Sequence, residues 1–217
     1  MNICVIGAGV KGHFGNDFVN RARNDGHTVY TLSHKDYGDN EPNHAWNNFS
    51  NSDQIVKVYN ELTKDINNID IFLYNSVFNS WVPMIPAHFT ETATKFNDSD
   101  FFNSILVNVI APYKLSIASL KKMKEGSKII FMTTGMSTGI DNLALPIRAG
   151  YAGSKSYQNF IMKGLAEHNN KGVIVSSIAP YFQYNEPENY KIAFDKAYNH
   201  IMTIDQTHNG KIIHIRH

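Results

Sequence analysis

Cysteine is nearly absent from this chain. Cys4 is the single example, so no intramolecular disulfide can form, and the thiol content gives no support for an oxidising compartment. A surplus of charge is lacking too. Twenty Lys and Arg against nineteen Asp and Glu leave a formal charge of +1, too little for a nucleic-acid footprint, and no run of like charges suggests a tail or membrane-surface patch. No window offers about 18 uninterrupted apolar residues, and no cationic segment leads into a cleavable leader. The ten histidines, among them His13, His34, His208, His214 and His217, show no zinc-ligand spacing, so no metal site is expected. Together these absences predict a soluble, unprocessed, cytoplasmic protein that acts on small molecules, with neither nucleic acid nor membrane as a partner.

What is present is an alternation of short apolar runs with longer amphipathic stretches. Asn2–Ile6, Thr28–Leu32, Asp70–Tyr74, Lys128–Thr133, Val173–Ala179 and Lys211–Ile215 are rich in Ile and Val and read as buried parallel strands. Lys11–Asn24, Ser52–Asp65, Ser99–Lys124, Ala149–Asn169 and Pro187–Met202 read as helices. The polar stretch His44–Phe49 stands where a further strand should be. Such a β-α order predicts an α/β fold with a single doubly wound parallel sheet of about six to seven strands and helices on both faces. At 217 residues and 42% apolar content, one dinucleotide-binding domain over 1–217 is expected. The segment Val77–Asn97 reads as a loop near the site rim, and Tyr184–Asn209 as a short substrate-region insertion.

Directly after the first strand comes Gly7-Ala8-Gly9-Val10-Lys11-Gly12-His13-Phe14-Gly15. Gly7, Gly9 and Gly12 satisfy the G-x-G-x-x-G spacing, which lets a pyrophosphate approach the backbone at the positive end of the following helix; Lys11, His13 and Phe14 line the same turn. The acidic residue that would hold the ribose 2′-hydroxyl of NAD is missing. Ser33-His34-Lys35 stands there instead, and with Lys11 it offers basic groups to a 2′-phosphate, which favours NADP over NAD without closing off the latter. Read blandly, Lys11 and Lys35 are solvated surface charges.

Further along, Tyr151 and Lys155 fall at i and i+4 of one helix. One face then carries a phenol and an ammonium able to favour the phenolate, a general acid for reduction and base for oxidation. Among 11 tyrosines such a pair means little without context. Thr134, at the end of the Lys128–Thr133 strand, brings a hydroxyl to the same edge of the sheet, with Ser137 as a rival. Asn108 lies four residues before Pro112, which has no N–H to give the Asn108 carbonyl and disfavours a straight helix there. Trp81, Phe89, Phe101, Phe102 and Tyr181 are candidate pocket aromatics, most of them expected in the core or at the rim.

These residues resemble the short-chain dehydrogenase/reductase family, within it the smaller carbonyl reductases similar to C-factor and Sniffer. Asp70-Ile71-Phe72-Leu73-Tyr74-Asn75-Ser76-Val77 is similar to the family strand ending in N-N-A-G, with Asn75 retained. Asn108-Val109-Ile110-Ala111-Pro112 resembles N-V-x-G-P, Met132 to Asn142 resembles M-S-S-x-M-G-S-I-x-D-N, and Tyr151-Ala152-Gly153-Ser154-Lys155 matches Y-x-x-x-K. The resemblance implies hydride transfer with Tyr151 as proton donor, Lys155 on the ribose hydroxyls, Asn108 holding a relay water and Thr134 in the serine's role. It also places Asn75, Ser76 and Pro180 along the cofactor, and implies a homodimer or homotetramer paired through the two long helices. Two departures stand out. The glycine loop lacks the family's Thr and is one residue longer, and Tyr181 replaces the Gly that follows Pro180 in the family.

The expected activity is reduction of a small aldehyde or ketone with NADP(H). The alternative is a non-catalytic dinucleotide sensor or scaffold of the same fold. A sugar-nucleotide epimerase is disfavoured, because little chain is left for a substrate domain.

Overall fold

Along the first strand Ile3 and Val5 face one way and Cys4 and Ile6 the other, and all four are buried. A strand apolar on both faces must lie inside a sheet covered twice, which is the arrangement found in the computed structural model. It describes residues 1–9, 11–34, 43–47, 49, 51–78, 98–138, 149–182 and 186–215. Lys35, Trp81, Phe89, Ile140 to Asn142, Gln183 to Asn185 and His217 lie outside the described residues.

Seven strands, β1 Asn2–Ile6, β2 Thr28–Ser33, β3 His44–Trp46, β4 Ile71–Tyr74, β5 Lys128–Met132, β6 Ile174–Pro180 and β7 Ile212–Ile215, form one sheet in the order β3-β2-β1-β4-β5-β6-β7. Every pairing is parallel. The order reverses between β1 and β4, so the crevice of this doubly wound sheet opens beyond their carboxyl ends. The polar third strand forms after all, with Thr31 opposite His44 and Thr31 Oγ1 2.7 Å from His44 Nδ1.

The helices are α1 Phe14–Asn24, α2 Ser52–Leu62, α3 Asp98–Ile105, α4 Ala111–Leu120, α5 Ala149–His168 and α6 Pro187–Thr203. On one face Phe14, Phe18 and Val19 of α1 meet Phe194, Ala197 and Ile201 of α6 over Ile3 and Val5. A fully buried Phe, Ile or Val among them contributes about 1.5–3 kcal/mol. The two helices are also tied by polar contacts: Tyr190 donates to Asp17 at 2.6 Å, Tyr198 to Asp25 at 2.6 Å, and Arg21 to Asp195 at 2.5 Å. Tyr184–Asn209, read as a substrate-region insertion, therefore carries a helix whose described aromatic side serves the core. Its residues 190, 194 and 198 recur every turn and face α1. The opposite face is filled by Ile55 and Tyr59 of α2, Ala111 and Leu115 of α4 and Met162 and Leu165 of α5, packed on Cys4, Ile6, Phe72 and Ile129.

The long helix expected over Ser99–Lys124 is broken into α3 and α4 by a π-helical turn at Leu106–Ile110. Ala111 N–H bonds to the Leu106 carbonyl five residues back, a widening by one residue per turn. Pro112 accounts for the place of the break, since it supplies no N–H. The stretch Ser99–Leu120 is long and apolar enough to span a membrane by length and composition, but half of it is buried inside the protein, the pattern of a core helix.

Candidate active site

The glycine loop lies at the point where strand order reverses. Gly7 has φ +92°, and a Cβ there would come within 2.5 Å of Ser76 N and 2.6 Å of Ser76 Cα. Only a residue without a side chain lets β1 and the end of β4 meet so closely. Gly15 packs as tightly, a Cβ there overlapping the Gly7 carbonyl and the Asn75 amide. Asn75 Nδ2 donates to Gly7 O at 2.8 Å, and Asn75 N and Ser76 N both reach Ile6 O at 2.8 Å. Gly12, at φ +76°, has nothing within 4 Å of where a Cβ would sit, so the loop opens outward there. Lys11 and His13 are exposed beside it, and His13 is the N-cap of α1 without capping the helix through its side chain.

Two expected cofactor residues are inward-facing. Phe14 is 2% exposed and stacks on Phe182 at 5.0 Å, so its side chain belongs to the core, leaving only its backbone at the helix start for a ligand. Ser33 is fully buried, and its hydroxyl has no hydrogen-bond partner. It lines a small polar cavity with Ala8, Asn16, Asn20, Thr31 and His44. His34, one residue on, is exposed. The constricted glycines, the open Gly12 and an orphaned hydroxyl at the end of β2 suit a phosphate-bearing dinucleotide, the glycines by admitting it to the backbone and Ser33 by awaiting an acceptor.

Across the crevice, α5 carries Tyr151 and Lys155. Lys155 is 2% exposed; its Nζ donates to Met132 O at 2.7 Å and Gln158 Oε1 at 3.1 Å. The first bond anchors α5 to the end of β5, bringing the Tyr151–Lys155 face to the sheet edge where Thr134 emerges. Burial pulls the Lys155 amine down from 10.5 to about 7, because the ammonium loses its hydration. In its ammonium form two of the three protons are committed, leaving one for a ligand oxygen.

Thr134, the hydroxyl expected from the sequence, and its rival Ser137 are separated by their partners. Ser137 Oγ donates to Thr134 O at 2.6 Å, accepts from Asn159 Nδ2 at 2.9 Å and lies 3.1 Å from Thr133 Oγ1. Its one proton is spent within the 3₁₀ turn Gly135–Thr138. Thr134 Oγ1 only accepts a long bond from Met136 N at 3.4 Å, so its proton is uncommitted among the described residues. The strand ends at Met132, one residue short of expectation, and Thr133 N extends the pairing to Ile178 O at 2.8 Å.

Asn108 is fully buried in the π turn. Its amide clamps the chain leaving β4, accepting from Phe78 N and donating to Phe78 O, both at 2.9 Å, and donates to Ser154 Oγ at 3.0 Å. Ser154 Oγ in turn donates to Tyr151 O at 2.8 Å. One network thus joins β4, the π turn and α5. Sequence reasoning missed Ser154 and Gln158, although each lies three residues, one helical turn, beyond Tyr151 and Lys155. Pro180 ends β6 opposite Ile215; Tyr181 follows it, 49% exposed, while Phe182 turns inward onto Phe14. Among the described residues no group of His, Cys, Asp or Glu is placed to hold a metal ion.

Fold and site together are those of the nicotinamide-dependent oxidoreductases. Residues 3–187 match the short chain dehydrogenase family, and the chain belongs to that family. It is 26% identical over 142 residues to the very-long-chain 3-oxoacyl-CoA reductase of Anas platyrhynchos, a match covering 64% of this chain and 44% of that protein. The chain thus matches less than half the length of this relative. Among solved structures it resembles BdcA in complex with NADPH, at a TM-score of 0.77 and 17% identity over 99% of this chain and 92% of that one. It also resembles a short chain dehydrogenase of Leptospira borgpetersenii with bound NAD+, at a TM-score of 0.76 and 15% identity over 99% and 91% of the two chains.

Proposed function

We propose that this protein is a cytoplasmic NADP(H)-dependent reductase of small aldehydes or ketones, of the C-factor and Sniffer kind. The observation that carries the reading is the buried Lys155 bonded to the Met132 carbonyl at 2.7 Å, which draws the Tyr151 face of α5 to the strand end bearing the uncommitted Thr134 hydroxyl. NADPH, when bound, supplies the hydride. Gly7, Gly9 and Gly12 with the start of α1 hold its pyrophosphate, Asn75 and Ser76 border its ribose, and Lys155 bonds the ribose hydroxyls. Thr134 donates a hydrogen bond to the substrate oxygen. Tyr151 gives that oxygen its proton, and the Asn108 carbonyl, left without an N–H by Pro112, keeps a relay water. Lys11 and the missing carboxylate after β2 favour the 2′-phosphate of NADP. The 3-oxoacyl group in the name of the Anas relative is itself a ketone, in keeping with a carbonyl substrate.

The protein also works as a homodimer or homotetramer. Phe102, Tyr113 and Ile117 of α3 and α4 and Tyr157 and Phe160 of α5 are exposed at 38–73% on neighbouring helices, a larger apolar display than scattered surface residues give.

The decisive experiment mixes purified protein with NADPH and a panel of aldehydes and diketones. Cofactor oxidation is expected, and Tyr151→Phe should abolish it while NADPH still binds. Undiminished turnover in that variant rules out the mechanism; cofactor binding with no turnover by the unaltered protein points to the sensor instead.

A further inference from the structure

The π turn strands a second carbonyl beside that of Asn108. Within Leu106–Ile110 the N–H of Ala111 serves Leu106, so it is unavailable to Val107, whose α-helical partner it would have been. Five residues beyond Val107 stands Pro112, which has no N–H at all. The Val107 carbonyl therefore has no backbone donor in either register, inside a packed segment where Asn108 and Val109 are buried. An unpaired carbonyl in such a partly buried segment is costly, and a donor from outside the helix relieves it.

Tyr74 is that donor. Its hydroxyl lies 2.5 Å from Val107 O and donates to it. Tyr74 is the last residue of β4, fully buried, with its ring near Phe72 at 6.5 Å. The phenol is rigidly held from below, and burial raises its pKa, so the proton stays where the bond needs it. The next residues of the same chain, Asn75 and Ser76, brace Gly7, and Phe78 is clamped by the Asn108 amide from both sides. The end of β4 thus grips the π turn twice, at Val107 through Tyr74 and at Asn108 through Phe78.

We infer that Tyr74 is a positioning residue for the active site: its hydroxyl caps the Val107 carbonyl, holds the widened turn open and so fixes Asn108, whose amide bonds Ser154 and through it the Tyr151 turn of α5. This rests on the reductase reading for its catalytic consequence, and on the geometry alone for the turn. Without the cap, the turn loses the bond that makes its wide register tolerable. Asn108 then shifts against α5, while the glycine loop and Lys155 stay in place.

The test is Tyr74→Phe, which removes one oxygen, beside Tyr74→Met, which fills the space without a donor should the first variant fold poorly. Two readouts are taken. Hydrogen exchange of the amides of Asn108 to Ala111 and of Tyr113 should accelerate by roughly tenfold or more, the loss expected for one hydrogen bond, with exchange in α1 and α6 unchanged. In steady state with NADPH, kcat should fall roughly tenfold and its pH profile should move, while KM for the cofactor stays as it was. Unchanged exchange in the 108–113 amides of either folded variant overturns the cap. Accelerated exchange with an unaltered kcat and pH profile overturns the positioning role. If the unaltered protein turns over no carbonyl substrate, the reductase reading fails first, and the exchange measurement still decides whether Tyr74 holds the turn.

Discussion

Lys155 makes the stability of this protein depend on pH in a direction opposite to that of a paired lysine. Its amine is lowered from 10.5 to about 7 by burial. Below about pH 7 both folded and unfolded chains carry the proton, so the full cost of burying the charge is present and constant. Between about 7 and 10.5 the unfolded chain keeps the proton while the folded one has released it, so stability rises with pH at up to about 1.4 kcal/mol per pH unit. Over the whole window, 10.5 minus about 7, the gain approaches roughly 5 kcal/mol, an upper figure because Met132 O and Gln158 Oε1 solvate the ammonium in part. The assay is urea unfolding of the cofactor-free protein and of Lys155→Met at half-unit steps from pH 6 to 9.5. The difference between the two cancels the other titrating groups. The unaltered protein should gain on the variant steadily above pH 7 and not at all below it. A flat difference from pH 7 to 9.5 refutes the reasoning and means that the two carbonyl oxygens alone keep the buried amine charged.

Three further outcomes are expected. Gly7→Ala should cost about 2–4 kcal/mol and most of the NADPH affinity, since its Cβ meets Ser76 backbone at 2.5 Å, whereas Gly12→Ala, strained at φ +76° but unobstructed, should cost only about 1–2 kcal/mol; equal losses in thermal unfolding would contradict the crowding argument. Asn108→Ala removes three hydrogen bonds of a fully buried amide, and denaturant unfolding should report a loss of about 2–4 kcal/mol; less than about 0.5 kcal/mol would mean that the clamp on Phe78 is idle. Phe160→Glu, at a position 73% exposed, should leave stability within about 0.5 kcal/mol while light scattering shows a smaller assembly; an unchanged mass would remove this face from the subunit contact.

Much of the architecture was legible in the sequence because it rests on short-range regularities. Runs such as Ile3 to Ile6 can be buried only as strands covered on both faces, and all six apolar runs end within a residue of the strands formed. The pairing of Tyr151 with Lys155 follows from helical spacing alone. His44–Trp46 was harder to read, since this polar edge strand is held by register with Thr31 to Ser33 rather than by its own hydrophobicity. Within Tyr184–Asn209 the turn-by-turn recurrence of Tyr190, Phe194 and Tyr198 gains meaning only opposite α1.

Glycine spacing, the i to i+4 pair and the missing N–H of Pro112 are covalent or local facts, and the sequence by itself determined them. Which hydroxyl is free at the end of β5, why Phe14 turns inward, how Ser33 is left unpaired and which group caps Val107 were decided by the tertiary structure. Each depends on a donor, acceptor or ring brought from a distant part of the chain, and hydrogen-bond capacity is consumed by whichever partner packing brings near. Thr134 and Ser137 show the difference plainly: of two similar hydroxyls three residues apart, Ser137 gives its proton to the Thr134 carbonyl and is held there by the Asn159 amide of α5, while Thr134 only accepts a long bond from Met136 N.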